Sequence, residues 1–326
     1  MGTERGTPVL NSDIYLSSLD LPDLRLPRVF QAWTDFRIAH QQRFTALETL
    51  APAELTWLTV ELSRSMSRTL GTEVVSSVSN QKVAQLVDAV SGNGNRIIFM
   101  RHGEQSSPER VCSISDPRLR KIRMMQDPFN KEDLLTNKGL VDVFVTAFSL
   151  LYVTETTGKR LNVLSSENLR AKEVAGVVAR VIPSTTFATN EGLNCITYRD
   201  ERDVPPATIE GLLEDLPAGF MPWNPALIDK WCKKTRSGIR PSEAIIRTIA
   251  ALMRLGTKID GDELFLVSTH NQQLAEALRL KARLENPFMR FPELTMIVVR
   301  DKNDLTIFPR GVLSQVKYAH AMFDVL

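Results

Sequence analysis

The chain has 326 residues, 43% hydrophobic and 24% charged, ordinary values for a globular protein of one large domain or two smaller ones. Forty basic against 38 acidic residues leave a net charge of +2, so bulk electrostatics gives no case for nucleic acid or a membrane surface. Three cysteines, Cys112, Cys195 and Cys232, stand far apart with no CxxC pairing, which argues against a disulfide framework or a zinc site and suits a reducing compartment.

The first residues, MGTERGTPVLNSD, are polar and lack the apolar centre of a signal peptide. Gly6 stands where N-myristoylation expects Ser or Thr. Residues 1–26 read as irregular, punctuated by Pro8 and Pro22, with Pro27 next. Three helices are expected after them. In 28–50, Phe30, Trp33, Phe44 and Leu47 recur at helical spacing. The second helix opens near Pro52 and stops near Gly71. The third takes Asn80 as its N-cap, gathers Val83, Leu86, Val87 and Val90 on one face, and stops at Gly92. Two segments are expected from this organisation, an N-terminal helical extension over 1–92 and a larger unit over 93–326.

From residue 96 strands and helices alternate. Strands are expected over 96–100, 161–167, 263–270, 294–301 and 304–309, with helices over 168–182 and 271–284. The apolar stretch 141–153 is too short to span a bilayer and carries Asp142. The pattern predicts an α/β fold, a doubly wound, mostly parallel sheet flanked by helices.

Chemistry concentrates at three of these strand ends. The run Ile97-Ile98-Phe99-Met100 reads as a buried strand that ends abruptly in Arg101-His102-Gly103-Glu104. Ligand crevices of open α/β sheets lie at the carboxyl ends of strands. Arg offers a planar fork matched to phosphate, neutral imidazole is a nucleophile near pH 7, and Gly admits close backbone approach. The second strand runs into Ser165 and Ser166, with Arg170 following, and the third ends in Ser268, Thr269 and His270. A phosphate site with a histidine nucleophile is expected.

In order along the chain these motifs resemble the histidine phosphatase superfamily, whose best-known members are the phosphoglycerate mutases. The matching segments are Arg101-His102-Gly103, the helix start Leu135-Thr136-Asn137-Lys138-Gly139, the run Ser165 to Ala171 containing Arg170, and the late strand ending in His270. Segment 239–253 is similar to the family's P-x-G-E-S helix start, with Ser242 and Glu243 where the Gly would stand. The resemblance covers about residues 96–309 and leaves the first 90 or so outside it. It implies that His102 attacks phosphorus and becomes phosphohistidine, while Arg101, Arg170 and His270 grip the non-bridging oxygens. Gly103, Glu104, Ser166, Thr269 and Asn271 would line the substrate. No cofactor and no metal are implied. Of the four histidines, His102 and His270 fall on family positions, and His40 and His320 read as structural.

The family's general acid is not evident. Aligning Leu193 with the family Leu puts Cys195 in the acid's place, and Asn271 stands where the other branch carries Asp. Three readings stay open. A displaced carboxylate serves, with Glu201 the first candidate and Asp200, Asp203 and Glu104 nearby; or the substrate has a good leaving group; or the chain is a catalytically weak phosphate-binding or scaffolding relative using its N-terminal helices for a partner. General acid catalysis is worth about 10²–10⁴-fold, a loss tolerable for an anhydride or aryl phosphate and severe for an alkyl phosphate. A phosphomutase ranks behind a phosphatase, since it must retain and return the phosphoryl group.

The basic run 104–133 and the segment 202–240, with Trp223, Trp231, Lys233, Lys234 and Arg236, are expected to wall the site. The expected partner is a small phosphorylated substrate, with no nucleic acid and no membrane insertion. Residues 1–92 are open to a protein partner or self-association, and the expected location is cytoplasmic.

Overall fold

A computed structural model describes residues 23–74, 80–91, 95–101, 134–183, 185–189, 193, 263–269, 294–301, 304–308 and 316–319. The N-terminal part begins with a turn at Asp23–Arg25 and continues into helix α1 (Leu26–Ala39), with Pro27 in its first turn, where a missing N–H costs nothing. The single helix expected over 28–50 is broken. α1 stops at His40, a one-turn helix α2 (Gln41–Phe44) follows, and a 3₁₀ turn covers Leu47–Thr49. Neither Gly nor Pro marks the break. It turns the chain so that Phe44 folds back onto Trp33, with ring centroids 5.6 Å apart, and onto Phe148 at the same separation. Aromatic packing thus overrides a continuous helical pattern.

Helix α3 (Pro52–Leu70) keeps both sequence-predicted ends. Pro52 opens it, and Gly71 closes it at φ 64°, a left-handed conformation that a Cβ disfavours. Its last carbonyls are satisfied from elsewhere: Arg28 Nη2 donates to Thr69 O (3.2 Å) and Asn137 Nδ2 to Leu70 O (2.9 Å). Helix α4 (Asn80–Ser91) follows, starting at the residue expected to cap it.

Helix α5 (Asn137–Thr157) lies at the centre of the helical layer. Thr136 caps it, its side chain accepting from Gly139 N at 3.0 Å. Thr136→Ala should therefore cost about 1 kcal/mol of unfolding free energy, read from the denaturant midpoint. α5 is 21 residues long and, by length and composition alone, apolar enough to cross a membrane, but most of it is buried inside the protein. It is apolar all round because it is covered all round. α3 and α4 pack against it, as does α6 (Leu169–Val181). Phe30 meets Phe144 at 6.2 Å and Trp33 meets Phe148 at 6.4 Å. One hydrophobic core runs from Leu26 and Trp33 through Phe144 and Phe148 to Val163 and Leu266.

The sheet has seven strands in the order β3-β2-β4-β1-β5-β6-β7. In chain order these are β1 (Asn95–Arg101), β2 (Arg160–Ser165), β3 (Thr186–Thr189), β4 (Glu263–Thr269), β5 (Leu294–Asp301), β6 (Asp304–Phe308) and β7 (Val316–Ala319). β3, β2, β4 and β1 pair parallel, and β5, β6 and β7 add an antiparallel side. The α/β class expected from the alternation is the one observed. The helix expected over 271–284 lies outside the described residues.

Candidate functional site

The parallel register decides which strand ends meet. β4 lies between β2 and β1, with Ser165 paired to Ser268 and Arg101 paired to Thr269. Three segments separated by some 60 to 100 residues therefore finish within one residue of each other at the carboxyl edge. This is where an α/β sheet presents its ligand crevice. The backbone there is knitted together: Ser166 N donates to Ser268 O at 3.0 Å. Ser268 Oγ donates to Ala171 O at 3.2 Å, and Ser165 Oγ to Ser166 O at 2.8 Å. Ser165, Ser166 and Ser268 are fully buried, and the hydroxyls of Ser165 and Ser268 are committed to holding strand ends and the following turn in place.

Only residues 166–168 separate β2 from α6, so the first turn of α6 starts at the same edge. Helix N-terminal amides carry partial positive charge and favour an anion. Arg170 is the second residue of this helix and is 2% exposed. It is therefore not a solvated surface arginine. Taking a guanidinium this far out of water is costly unless strong acceptors surround it.

Of the sequence-predicted site residues, the structure brings together the backbone of Arg101 and Thr269 with Ser166 and Arg170. His102, Gly103, Glu104, Glu201, His270 and Asn271 lie outside the described residues, as do Cys195 and the segments 104–133, 202–240 and 239–253. His102 and His270 directly follow the last residues of β1 and β4, which pair. Leu193, aligned with the family Leu before the acid, is fully buried. His40 sits at the α1–α2 break against Phe36 (4.6 Å) and Trp57 (5.4 Å), and burial, with Arg43 nearby, lowers its pKa, which fits a structural residue.

No family model and no curated protein matches the chain. Solved structures that it resembles include phosphoglycerate mutase from Bacillus anthracis (15% identity, 69% of this chain, 96% of that one, TM-score 0.48). A mycobacterial glucosyl-3-phosphoglycerate phosphatase is similar at 13% identity over 69% of this chain and 98% of its own, with a TM-score of 0.41. The YhfR protein of Bacillus stearothermophilus is similar at 20% identity over 68% and 98%, with a TM-score of 0.44.

Three buried polar residues, Asn168, Glu173 and Asp23, and the half-buried Arg25 escaped sequence reasoning. Asn168, at the N-cap position of α6, is fully buried, and neither polar atom of its side chain has a protein partner. An Asn immediately before a helix was a legible signal. Glu173, one turn after Arg170, is fully buried, and its Oε2 accepts from Leu135 N at 2.6 Å. Asp23 and Arg25 join it from the N-terminal turn. Burial pushes the Glu173 carboxyl up to about 9, helped by the hydrogen bond to Asp23 and opposed by the Leu135 N–H. Burial also pushes Asp23 up, but hydrogen bonds from Arg25 and Glu173 outweigh it and hold that carboxyl below its ordinary value. Among the described residues no group of three or more His, Cys, Asp and Glu is placed to hold a metal ion.

Proposed function

We propose that this chain is a metal-independent phosphatase acting on an organic phosphate or diphosphate through phosphohistidine at His102. The observation that carries the reading is the adjacency of three strand ends, β2, β4 and β1, beside a helix N-terminus that bears the buried Arg170. A phosphate ester dianion repels a nucleophile, so charge on its equatorial oxygens must be held through the transition state. Arg101, Arg170 and His270 supply that charge as hydrogen-bond donors. In the first step an imidazole nitrogen of His102 forms a bond to phosphorus, and the bond to the leaving oxygen breaks. That oxygen takes a proton from a carboxyl, with Glu201 the first candidate, or leaves as a stable anion. In the second step water attacks phosphorus, the P–N bond breaks, and inorganic phosphate departs.

For the scaffolding alternative the N-terminal helices offer Ile38 and Trp57, which are exposed. Their apolar face, Phe30, Trp33 and Phe36, is already buried inside the protein, as are Leu58 and Leu62 of α3.

The test is hydrolysis of para-nitrophenyl phosphate and of an organic diphosphate in excess chelator, with an acid-free quench after radiolabelled substrate. Turnover is expected to persist in chelator, and label is expected in an acid-labile, alkali-stable bond on the peptide containing His102. Turnover that stops in chelator and returns with a divalent ion would sink the metal-independent reading, and label on another residue would sink the assignment of His102.

A further inference from the structure

Three stretches distant in sequence meet at the helix that carries Arg170. From the N-terminal turn, Arg25 donates through Nε to both Asp23 oxygens (2.8 and 2.9 Å) and through Nη2 to Asp23 Oδ2 (2.6 Å). The same guanidinium reaches Leu135 O (2.7 Å) and Asn137 Oδ1 (2.9 Å), and its Nη2 lies 3.6 Å from Glu173 Oε1. Leu135 is thus held at both backbone groups, its N–H by Glu173 and its carbonyl by Arg25. Glu173 is three residues after Arg170 on α6.

We infer that Asp23 and Arg25 are positioning residues of the phosphate site, a clamp that fixes the start of α5 against α6 and so fixes where the Arg170 guanidinium sits. This rests on the phosphatase reading and gives the N-terminal segment a part in it. Exposed ion pairs are worth little, and such a pair would carry no such role. Here the side chains of Asp23 and Glu173 are 3% and 0% exposed, and Arg25 is 29% exposed. Among the described residues the Arg25 guanidinium, apart from its bonds to Asp23, reaches only α6 and the start of α5. The planar fork of Arg serves several acceptors at fixed angles, which a Lys cannot do. A misplacement of about 1 Å far from the chemistry can cost about 10²-fold in rate.

The experiment uses the full chain, para-nitrophenyl phosphate as substrate and inorganic phosphate as competitive ligand, each variant assayed well below its own Tm. Arg25→Ala should lower kcat by at least about tenfold and weaken phosphate inhibition, with KM little changed, since the grip matters most in the transition state. Asp23→Asn, isosteric and creating no cavity, should shift kcat in the same direction by less, and it carries the test should Arg25→Ala fail to fold. Arg28→Ala, which removes an exposed hydrogen bond to Thr69 O nearby, should keep wild-type kcat. Lowered Tm with unchanged kcat and phosphate affinity in both Arg25→Ala and Asp23→Asn would overturn the clamp while leaving the phosphatase reading standing. A wild-type protein that neither hydrolyses esters nor binds phosphate would overturn that reading, and the clamp with it.

Discussion

Arg170→Met is expected to lower turnover by about a hundredfold or more in a protein that still folds, with some loss of stability. The two halves of this result come from the same fact, the burial of Arg170 at 2% exposure. A guanidinium in the interior has lost its hydration and depends on the groups around it, so an apolar side chain there leaves those groups without their partner and lowers stability. The catalytic half follows from what the charge is for. A preorganised donor aimed at developing negative charge, in a place water does not reach, is worth about 2.7–4 kcal/mol, or 10²–10³ in rate. Arg170→Lys should recover only part of the loss, because the point charge returns without the planar fork. Calorimetry and steady-state kinetics on the same preparations check both halves. If Tm fell and turnover stayed near normal, Arg170 would be a structural residue and the phosphate pocket would lie elsewhere.

Which parts of this molecule could be read from its sequence follows from where each element sits in the sheet. Central and near-central strands must be covered on both faces, so they appear as short apolar runs. Residues 294–301 were expected as a strand and form β5 at those bounds, and β1, β2, β4 and β6 were legible for the same reason. The two unexpected strands, β3 and β7, are the two edges of the sheet. An edge strand is short and paired on one side only, so Thr186-Phe187-Ala188-Thr189 leaves a weak pattern. The break of the first helix at His40 was equally hidden, because the cause, Phe44 folding onto Trp33 and Phe148, spans more than 100 residues.

The site shows the same division. Strand ends rich in Ser, Arg and His are a local signal, and they were found. Their adjacency, with β4 inserted between β2 and β1, is a matter of pairing that no local pattern states. Asp23 and Arg25 lay in a stretch read as irregular. Glu173 carried no signal of its own, since sequence does not reveal that both faces of α6 are covered.

Glu173 is the residue whose environment departs furthest from what its type suggests, and its removal as a titrating group gives the other large expected effect. With its carboxyl pushed up to about 9 by burial, the folded protein holds a proton there that the unfolded chain releases near 4.5. Between those values the folded state binds more protons than the unfolded state. Stability from this group is therefore complete below about pH 4.5, falls as pH rises toward about 9, and is flat above. The slope is at most about 1.4 kcal/mol per pH unit, one proton's worth. Glu173→Gln should abolish it. The Gln carbonyl can accept from Leu135 N, and its amide can donate to Asp23 as the protonated acid does. Denaturant unfolding of both proteins across this range should give curves that converge at the acid end and separate steadily as pH rises, with the variant the more stable at pH 8. Asp23 acts in the opposite sense, since a carboxyl held below its ordinary value loses its contribution as pH falls, and it is common to both proteins. Parallel curves would mean that Glu173 is ionised in the folded state, with Arg25 closer to it than the 3.6 Å seen here and Asp23 turned away.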